Sequence, residues 1–327
     1  MRILALTFGD ATTASSQYRV YQYIPLLERS GIHLEAFPAA AFEAWDTVGG
    51  YDAVLVQKKL LPPGRVLWLR GHTRRLIYDV DDAVWFPHGR RHHWLTRWRN
   101  GRRLAAIARA ADLCIVPNHV LGDYLRHLDA KVALIPMALD AQQWPAKSTL
   151  RDDAAGVRIG WAGSPVNLGY LEEIEPVLMS LQRREARMKV VVFSGARPRF
   201  KELPYEFVAY QPGEESAVIR TFDIGLLPLP GDDFANGKSP IKGLQYMASA
   251  VPCVASATDG VREMFGDDPA GLVARTPEDW GQAISKLIES PALRIEIGNR
   301  SRAVFESRNE IQKTGEALAG LLATTAT

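Results

Sequence analysis

The most informative stretch of this 327-residue chain is GDDFANGKSPIKGLQYMASAVPCVAS, residues 231–256. Ser239 followed by Pro240 is typical of a helix start, because serine can accept a hydrogen bond from a free helix N–H and proline needs no donor there. The positive end of the helix dipole favours an anion, and Lys238 and Lys242 add two ammonium groups nearby. The stretch therefore predicts an anion site suited to a polyphosphate, although a capped surface helix with two solvated lysines fits the same local features.

Composition places the chain among globular proteins. A length of 327 residues exceeds one typical core, so two domains are expected. The chain is 47% hydrophobic and 23% charged, which excludes disordered and fibrous classes. Its two cysteines, Cys114 and Cys253, lie far apart in apolar segments, so a disulfide framework is excluded and a reducing cytoplasm is expected. No apolar run approaches the roughly 18 residues of a membrane span, which favours a cytoplasmic protein, or one peripheral to the inner face of the membrane.

Short β-branched runs alternate with amphipathic stretches along the chain, which is typical of βα units and mostly parallel sheets. Residues 140–156, rich in Ala, Asp and Gln, predict a linker between two such series. A helix is predicted from Gln17 to Arg29, ended by Gly31. The predicted strands are Ile3–Thr7, His33–Phe37, Ala53–Gln57, Leu76–Asp79, Leu113–Val116 and Val132–Ile135, then Val157–Trp161, Lys189–Phe193, Phe207–Ala209, Ile224–Leu227, Cys253–Ala255 and Gly271–Val273. The sequence therefore predicts an α/β protein with two doubly wound domains.

Positive charge is concentrated in the first half of the chain. Residues 1–145 carry 18 lysines and arginines against 13 acids, whereas the remaining residues carry 21 against 24. Residues 86–109 contain seven arginines, Trp94, Trp98 and no acid. Such a segment fits an anionic membrane surface or a phosphorylated acceptor. A solvated basic helix whose arginine stems cover the core fits equally well, whereas no zinc-ligand spacing or aromatic RNA-binding motif supports a nucleic acid partner.

Ligands of doubly wound sheets bind at the carboxyl ends of the strands, where helix N-termini point into the crevice. Two junctions of this kind stand out besides the Lys238 loop. The hydroxyl-rich loop of residues 9–19 follows the first strand, and GWAGSP, residues 160–165, opens the second domain with another Ser-Pro pair. Gly163 permits close approach of a ligand, and Ser164 can cap the helix or bond a phosphate. Neither loop matches Gly-x-Gly-x-x-Gly or the Walker pattern, so nicotinamide and ATP sites are not indicated.

The segment QYMASAVPCVAS, residues 245–256, resembles the family 4 glycosyltransferases, as does the order of elements over nearly the whole chain. Members of that family are retaining, nucleotide-sugar-dependent enzymes with the two-domain GT-B fold. The resemblance implies two doubly wound Rossmann-like domains that face each other across a cleft. Residues 1–145 would form the acceptor-side domain and residues 146–305 the donor-binding domain. Residues 306–327 would form a final helix that packs back on the first domain.

The chain departs from the usual family motif. Gly237 and Gln245 stand where the family has glutamates, and Ser164 stands where it has an arginine. The run from Lys238 to Lys242 therefore resembles a variant branch, in which these two lysines replace the missing phosphate-binding pair. A glutamine accepts with one atom and donates with another, so the ribose contact implied for Gln245 differs from that of a glutamate. A partly buried helix residue is the alternative for Gln245.

The resemblance implies three groups of site residues. The candidate catalytic residues are Lys238, Lys242 and Asp81. The candidate acceptor-side residues are Ser16, Arg19 and Asp82. The candidate donor-binding residues are Gly163, Ser164, Ser194, Gly195, Asn236, Ser239 and Gln245.

Asp81 and Asp82 belong to an acidic cluster, YDVDDAVW, at the end of a predicted strand. Paired carboxylates can bind a metal, act as acid and base, or accept hydrogen bonds from sugar hydroxyls. The resemblance favours the last use, because GT-B enzymes generally hold the diphosphate without a metal, and no metal or other cofactor is expected. The alternative is structural: Asp82 caps the next segment and Asp79 pairs with an arginine.

The predicted function is transfer of a sugar from a nucleoside-diphosphate donor to a glycan or lipid-linked acceptor, with retention of configuration. Cell-surface polysaccharide or glycoconjugate synthesis is the expected setting. The expected partners are the nucleotide sugar, the acceptor and an anionic membrane that contacts residues 86–109, with no nucleic acid. Two alternatives stay open. A non-catalytic GT-B protein that binds a nucleotide sugar or serves as a scaffold would explain the missing glutamates, and a nucleotide-sugar epimerase shares the architecture.

Overall fold

The computed structural model describes residues 1–86, 94–147, 156–267 and 269–324. These residues form two compact units, each built on its own sheet. Unit 1 contains residues 1–138, residues 232–239 and the C-terminal segment from residue 311. Unit 2 contains residues 139–231 and 240–310.

Unit 1 is built on a parallel six-stranded sheet with the order β2-β1-β3-β4-β5-β6. Its strands are β1 (Arg2–Thr7), β2 (His33–Pro38), β3 (Ala53–Gln57), β4 (Leu76–Asp79), β5 (Leu113–Val116) and β6 (Val132–Leu134). Its helices are α1 (Ala14–Arg19), α2 (Ile24–Arg29), α3 (Pro63–His72), α4 (Trp94–Ala110), α5 (His119–Arg126), α9 (Asp233–Asn236) and α14 (Ile311–Ala323), with 3-10 turns at Tyr21–Tyr23 and Trp45–Gly50. The six strands predicted for the first half of the chain are confirmed, each to within one residue.

Both faces of this sheet are buried, which explains why its strands read as unbroken apolar runs. Along β1, Leu4 and Leu6 belong to one core, whereas Ile3 and Ala5 belong to the core on the opposite face. This alternation follows from the two-residue period of a strand. All four side chains are fully buried.

The single helix predicted over Gln17–Arg29 is wrong. The structure breaks it into α1, the 3-10 turn and α2, with Val20 outside the helical region at φ −131°. Pro25 follows at the start of α2. Proline has no N–H to donate, and its ring clashes with the carbonyl four residues before it, so an uninterrupted helix is disfavoured there. Gly31, at φ +76°, does follow the end of α2 as expected.

The C-terminal helix α14 packs within unit 1. The Tyr23 hydroxyl and Thr314 Oγ1 lie 3.2 Å apart in a buried hydrogen bond. The buried Arg75 guanidinium donates to the Leu322 carbonyl oxygen at 2.6 Å, near the end of α14. Leu318 and Leu322 join the same core as Ile3 and Ala5. The last helix therefore covers one face of the sheet of unit 1.

Unit 2 is built on a second parallel sheet, with the order β12-β11-β10-β7-β8-β9. Its strands are β7 (Val157–Ala162), β8 (Met188–Ser194), β9 (Tyr205–Ala209), β10 (Ile224–Leu227), β11 (Cys253–Ser256) and β12 (Leu272–Ala274). Its helices are α6 (Leu168–Glu173), α7 (Glu175–Arg184), α8 (Glu215–Ile219), α10 (Ile241–Ala248), α11 (Asp259–Phe265), α12 (Pro277–Glu289) and α13 (Pro291–Arg308), with a 3-10 turn at Pro165–Asn167. The six strands predicted for the second half are confirmed, each to within two residues.

Tyr246 of α10 fixes the centre of unit 2. Its buried hydroxyl accepts a hydrogen bond from Ala162 N at 2.9 Å and donates to Leu226 O at 3.2 Å. Ala162 ends β7 and Leu226 lies in β10, the neighbouring strands at which the strand order reverses. One hydroxyl thus ties α10 to the place where doubly wound sheets bind their ligands.

We expect Tyr246→Phe to destabilise the protein by about 1–2 kcal/mol, because the buried Ala162 N–H loses its acceptor. Tyr205→Phe is the matched control, since within the described residues its hydroxyl has no hydrogen-bond partner. Denaturant unfolding of both variants measures the difference. Equal stability of the two variants would show that the Tyr246 hydroxyl contributes nothing.

Candidate functional site

In unit 1, polar side chains gather at the carboxyl ends of β1, β3 and β4. The strand order reverses between β1 and β3, so the loops that follow these strands diverge and leave room at this edge. Gln57, at the end of β3, accepts hydrogen bonds at Oε1 from Phe8 N at 2.8 Å and from Ser16 Oγ at 3.1 Å. Ser16 Oγ also accepts from Gly9 N at 3.0 Å. Ser16, a predicted acceptor-side residue, is fully buried here and holds the loop after β1.

Arg19, also predicted on the acceptor side, lies in a buried ion pair. Its Nε and Nη2 donate to the two carboxylate oxygens of Asp79 at 3.0 and 2.5 Å, and its Nη1 donates to Ile135 O at 2.7 Å. The structural alternative for Asp79, an arginine partner, is therefore confirmed. Removing either member of such a pair costs about 3–5 kcal/mol, because it leaves a charge buried alone. The geometry gives Arg19 a role in holding the end of β4 rather than presenting its guanidinium to solvent.

The two adjacent carboxylates, Asp81 and Asp82, share one lysine. Lys58 Nζ lies 3.2 Å from Asp81 Oδ1 and also contacts Asp82 Oδ2, and Ser15 Oγ donates to Asp81 Oδ2 at 2.6 Å. Burial alone would raise the pKa of Asp81, but the Lys58 charge and the Ser15 hydrogen bond outweigh it, so the pKa lies below its usual value. The cluster therefore holds Asp81 ionised.

Sequence reasoning missed Lys58, although it directly follows the predicted strand Ala53–Gln57. Its φ of +62° is in the left-handed region, which costs a side-chain-bearing residue about 1–3 kcal/mol and tends to occur at functional sites. The Gln-Lys-Lys run at a strand end was the available signal.

Asn118, which follows β5, was missed as well. Its Oδ1 caps α5 by accepting from Leu121 N at 2.9 Å. Its Nδ2 donates to Gly237 O at 2.9 Å and to Ser239 Oγ at 2.8 Å. A Cβ added to Gly237 would lie 2.8 Å from Leu121 Cδ2, so the backbone passes close to α5 there. One buried side chain therefore anchors the segment of residues 232–239 on unit 1.

Three predicted site residues lie in this segment. Asn236 ends the short helix α9, and the Lys238 ammonium lies 5.5 Å from the centre of the Phe234 ring. The helix start predicted at Ser239 and Pro240 is displaced by one residue. Pro240, at ψ 112°, is the N-cap of α10, and Ile241 is its first residue. The Ser239 hydroxyl accepts a hydrogen bond from Asn118 Nδ2, at the start of α5, and does not cap α10.

In unit 2, the predicted donor-binding loops follow the adjacent strands β7 and β8. Ser164 occupies the predicted N-cap position, before the 3-10 turn that starts at Pro165. Within the described residues its side chain makes no capping hydrogen bond to the backbone, and its Oγ accepts from Asn167 Nδ2 at 3.3 Å. A Cβ on Gly195 would lie 3.4 Å from Pro165 Cγ, so the two loops touch. A Cβ on Gly163 would collide with the Trp161 ring, which explains the glycine there.

Ser194 ends β8 and is fully buried. Within the described parts of the chain, its Oγ has no hydrogen-bond partner. A buried hydroxyl without a partner is costly, so this position suits a bound water or ligand.

Lys242 and Gln245 lie three residues apart on α10, next to Tyr246, and so share one side of that helix. Gln245 is buried. Burial lowers the pKa of Lys242 to about 8, and the charge of Glu215 offsets only part of this effect. No carboxylate of the described residues lies within 4 Å of the Lys242 ammonium. The first turn of α10 thus presents a desolvated ammonium with no ion-pair partner.

Helix α4 begins at Trp94, and Arg90 and Arg91 of the predicted membrane segment lie outside the described residues. The C-terminal half of α4 packs on the core through Leu104 and Ile107. In the N-terminal half, the exposed fractions of Trp94 and Trp98 are 69% and 56%. The helix therefore combines a packed half with an exposed aromatic and basic half.

Comparison with known proteins identifies the fold. Residues 168–290 match the family model described as Glycosyl transferases group 1. Sucrose-phosphate synthase from Thermosynechococcus elongatus superposes with a TM-score of 0.75 at 14% identity, over 99% of this chain and 98% of that chain. HepE from Anabaena in complex with UDP gives 0.69 at 14% identity, over 99% and 100%. These structures show that the chain has the GT-B fold, with two Rossmann-like domains.

A UDP-forming trehalose-phosphate synthase from Burkholderia xenovorans is a further structural neighbour, with a TM-score of 0.63 at 16% identity over 85% of this chain and 75% of that one. A search of curated protein sequences finds no match. The matched family segment contains Lys238, Lys242 and Gln245. This match supports a glycosyltransferase.

We expect Asn118→Ala to destabilise the protein by about 1–3 kcal/mol, because it removes a helix cap and two buried hydrogen bonds. Asn118→Ser is the matched control, since it keeps a capping oxygen and loses only the amide donor. Limited proteolysis after residue 231 should be faster in both variants, whereas only the alanine variant should lose the α5 cap. Unchanged proteolysis in both would show that Asn118 does not anchor residues 232–239.

Proposed function

We propose that the protein transfers a sugar from a nucleoside-diphosphate donor to a hydroxyl of a glycan or lipid-linked acceptor. The observation that carries the proposal is the desolvated Lys242 ammonium, which has no carboxylate of the described residues within 4 Å. It lies in the first turn of α10, inside the segment that matches glycosyl transferases group 1. An anionic ligand stabilises a half-buried cation of this kind.

The proposed donor site uses the carboxyl edge of unit 2. The base would lie by Ser194 and Gly195, where a buried hydroxyl has a free hydrogen-bonding capacity. The ribose would meet Gln245, and the diphosphate would meet Lys242 and the backbone at Gly163 and Ser164. Structures of HepE contain UDP and UDP-glucose, which makes UDP the first nucleotide to test here. The proposal includes no metal ion, because lysine supplies the positive charge.

The proposed reaction breaks the bond between the anomeric carbon and the β-phosphate oxygen and forms a bond from that carbon to the acceptor oxygen. Negative charge grows on the leaving phosphate, where Lys242 would stabilise it. The acceptor proton passes to a phosphate oxygen, so no protein nucleophile is required. Attack on the face from which the phosphate departs retains the configuration. Asp81 and Asp82 would accept hydrogen bonds from acceptor hydroxyls.

We expect UDP binding to weaken as the pH rises above about 8. The free Lys242 has a pKa of about 8, and a bound diphosphate would raise it, so binding takes up a proton at higher pH. Calorimetric titrations should show affinity about tenfold or more lower at pH 9.5 than at pH 7. The Lys242→Met variant should bind UDP weakly and without this pH dependence. It should also raise the activation free energy of sugar transfer by about 2–4 kcal/mol.

Lys201→Met, which removes an exposed lysine of the same unit, is the control and should behave as wild type.

Transfer itself is measured as release of nucleoside diphosphate from UDP, GDP, dTDP and ADP sugars when acceptor extract is added. Anomeric configuration of the product tests retention. Donor binding without any release would favour the non-catalytic alternative, which the glutamine at position 245 makes chemically reasonable.

We further propose that the exposed half of α4 contacts an anionic membrane. Trp94, Leu95 and Trp98 are exposed there, and the Arg102 guanidinium stacks 4.9 Å from the Trp98 ring centre. Tryptophan and arginine suit the interface between lipid headgroups and acyl chains. None of the helices in the described residues is both long and apolar enough to cross a bilayer. Any membrane contact through these helices would thus be peripheral.

We expect the protein to co-sediment with vesicles that contain anionic lipid at low salt, and to be released at high salt. Replacing Arg97, Arg99 and Arg102 by glutamine should reduce the bound fraction severalfold. The control replaces Arg183, Arg184 and Arg187 of unit 2 by glutamine and should leave binding unchanged. Equal loss in both triple variants would mean that net charge, and not α4, determines binding.

A further inference from the structure

The chain makes an unusual turn at the end of β3. Lys59 N donates to Gln57 O at 2.8 Å, two residues back, around Lys58 at φ +62°. A three-residue turn with a positive φ at its centre is rare and strained. Lys58 N also donates to Asp79 O at 2.7 Å, so the turn is fixed against the neighbouring strand β4.

The turn changes the direction of the Lys58 side chain. Successive residues of a strand point to opposite faces, yet Gln57 and Lys58 both reach Ser15. Gln57 Nε2 donates to Ser15 Oγ at 2.8 Å, and Lys58 Nζ lies 3.4 Å from the same oxygen. The Lys58 ammonium therefore lies between Asp81 and Asp82, and only 12% of the Lys58 side chain is exposed. Without the turn, Lys58 would not face the carboxylates.

We infer that Lys58 is a positioning residue, which holds Asp81 and Asp82 in place as acceptors for an uncharged hydroxyl of the sugar-accepting molecule. This inference rests on the proposed transferase function. The group that binds at this edge of unit 1 is then a hydroxyl of the acceptor. Asp81 and Asp82 touch the acceptor, and Lys58 acts through them.

The net charge around Asp81 and Asp82 determines which class of acceptor group can bind there. Lys58 faces Asp81 and Asp82, and the nearby Arg19 and Asp79 neutralise each other, so these five side chains together carry a net negative charge. The Lys59 ammonium lies over the Phe8 ring instead. A phosphate or carboxylate would be repelled, whereas a hydroxyl can donate to a carboxylate oxygen. The charged groups that face Asp81 are Lys58, Arg19, Asp79 and Asp82, together with the buried hydroxyl of Tyr78. An acceptor that carries a phosphate would have to place it away from this cluster.

Carbon NMR of protein labelled at the aspartate carboxyl carbons tests the positioning role without any substrate. Asp81→Asn assigns the Asp81 signal. Lys58→Met should raise the titration midpoint of Asp81 by about one to three pH units, because an opposite charge at this distance is lost. Lys58→Arg should keep the midpoint low, and Lys59→Met, the neighbouring lysine, should leave it unchanged. Lys58→Gln serves if the methionine variant does not fold. An Asp81 midpoint that does not move in either variant would overturn the inference.

Transfer kinetics then test the role in acceptor binding. Lys58→Met should raise the acceptor KM about tenfold and shift the acid limb of kcat/KM to higher pH, with the donor KM unchanged and UDP still raising the melting temperature. Inorganic phosphate should not compete with the acceptor. Competition against the acceptor, or an unchanged acceptor KM, would overturn the inference. If the wild type transfers no sugar, the proposed function fails, while the NMR result still decides whether Lys58 holds Asp81 ionised.

Discussion

Each sheet reverses its strand order once, and the rest of the molecule depends on that reversal. It falls between β1 and β3 in unit 1 and between β7 and β10 in unit 2. Connections from the two strands run to opposite faces, so their loops diverge and leave an opening at the carboxyl edge. Each unit has a buried side chain beside this opening that is already hydrogen-bonded, Gln57 in unit 1 and Tyr246 in unit 2. Charged side chains lie next to each of them, Lys58 beside Gln57 and Lys242 in the same helix as Tyr246.

Two half-buried lysines, Lys58 and Lys242, have different electrostatic surroundings. Lys58 has two carboxylate partners, and their charges raise its pKa despite burial. Lys242 has none within 4 Å in the described residues, and burial lowers its pKa to about 8. The first arrangement is complete without a ligand and fixes the geometry of its partners. An anionic ligand would stabilise the second arrangement, because it would replace the stabilisation that water gives an exposed ammonium.

The sequence predicts the strands well, because both sheets are parallel and buried on both faces, which leaves continuous β-branched runs. The helix predicted over Gln17–Arg29 is wrong because the single residue Pro25 interrupts a stretch whose overall pattern is helical. Sequence reasoning also fails where the answer depends on distant residues. The Ser239 hydroxyl bonds Asn118, 121 positions away, so no local rule for helix caps could place α10 correctly. Lys58 was missed for the same reason, since its partners Asp81 and Asp82 lie in the loop that follows the next strand, β4.

The turn at Lys58 is not required by the fold. Among the described residues of unit 1, Asp129 is the other side-chain-bearing residue with a positive φ, and it follows a helix rather than a strand. The neighbouring strands β1 and β4 end without such a turn. A left-handed lysine costs about 1–3 kcal/mol, and its buried charge adds to that cost unless it is paired. Strand β3 could end without a left-handed residue and without a buried charge. We infer that the two carboxylates are the reason why Lys58 adopts this turn. Asp81 and Asp82 would repel each other if both were ionised alone, and Lys58 allows both charges to remain at one strand end.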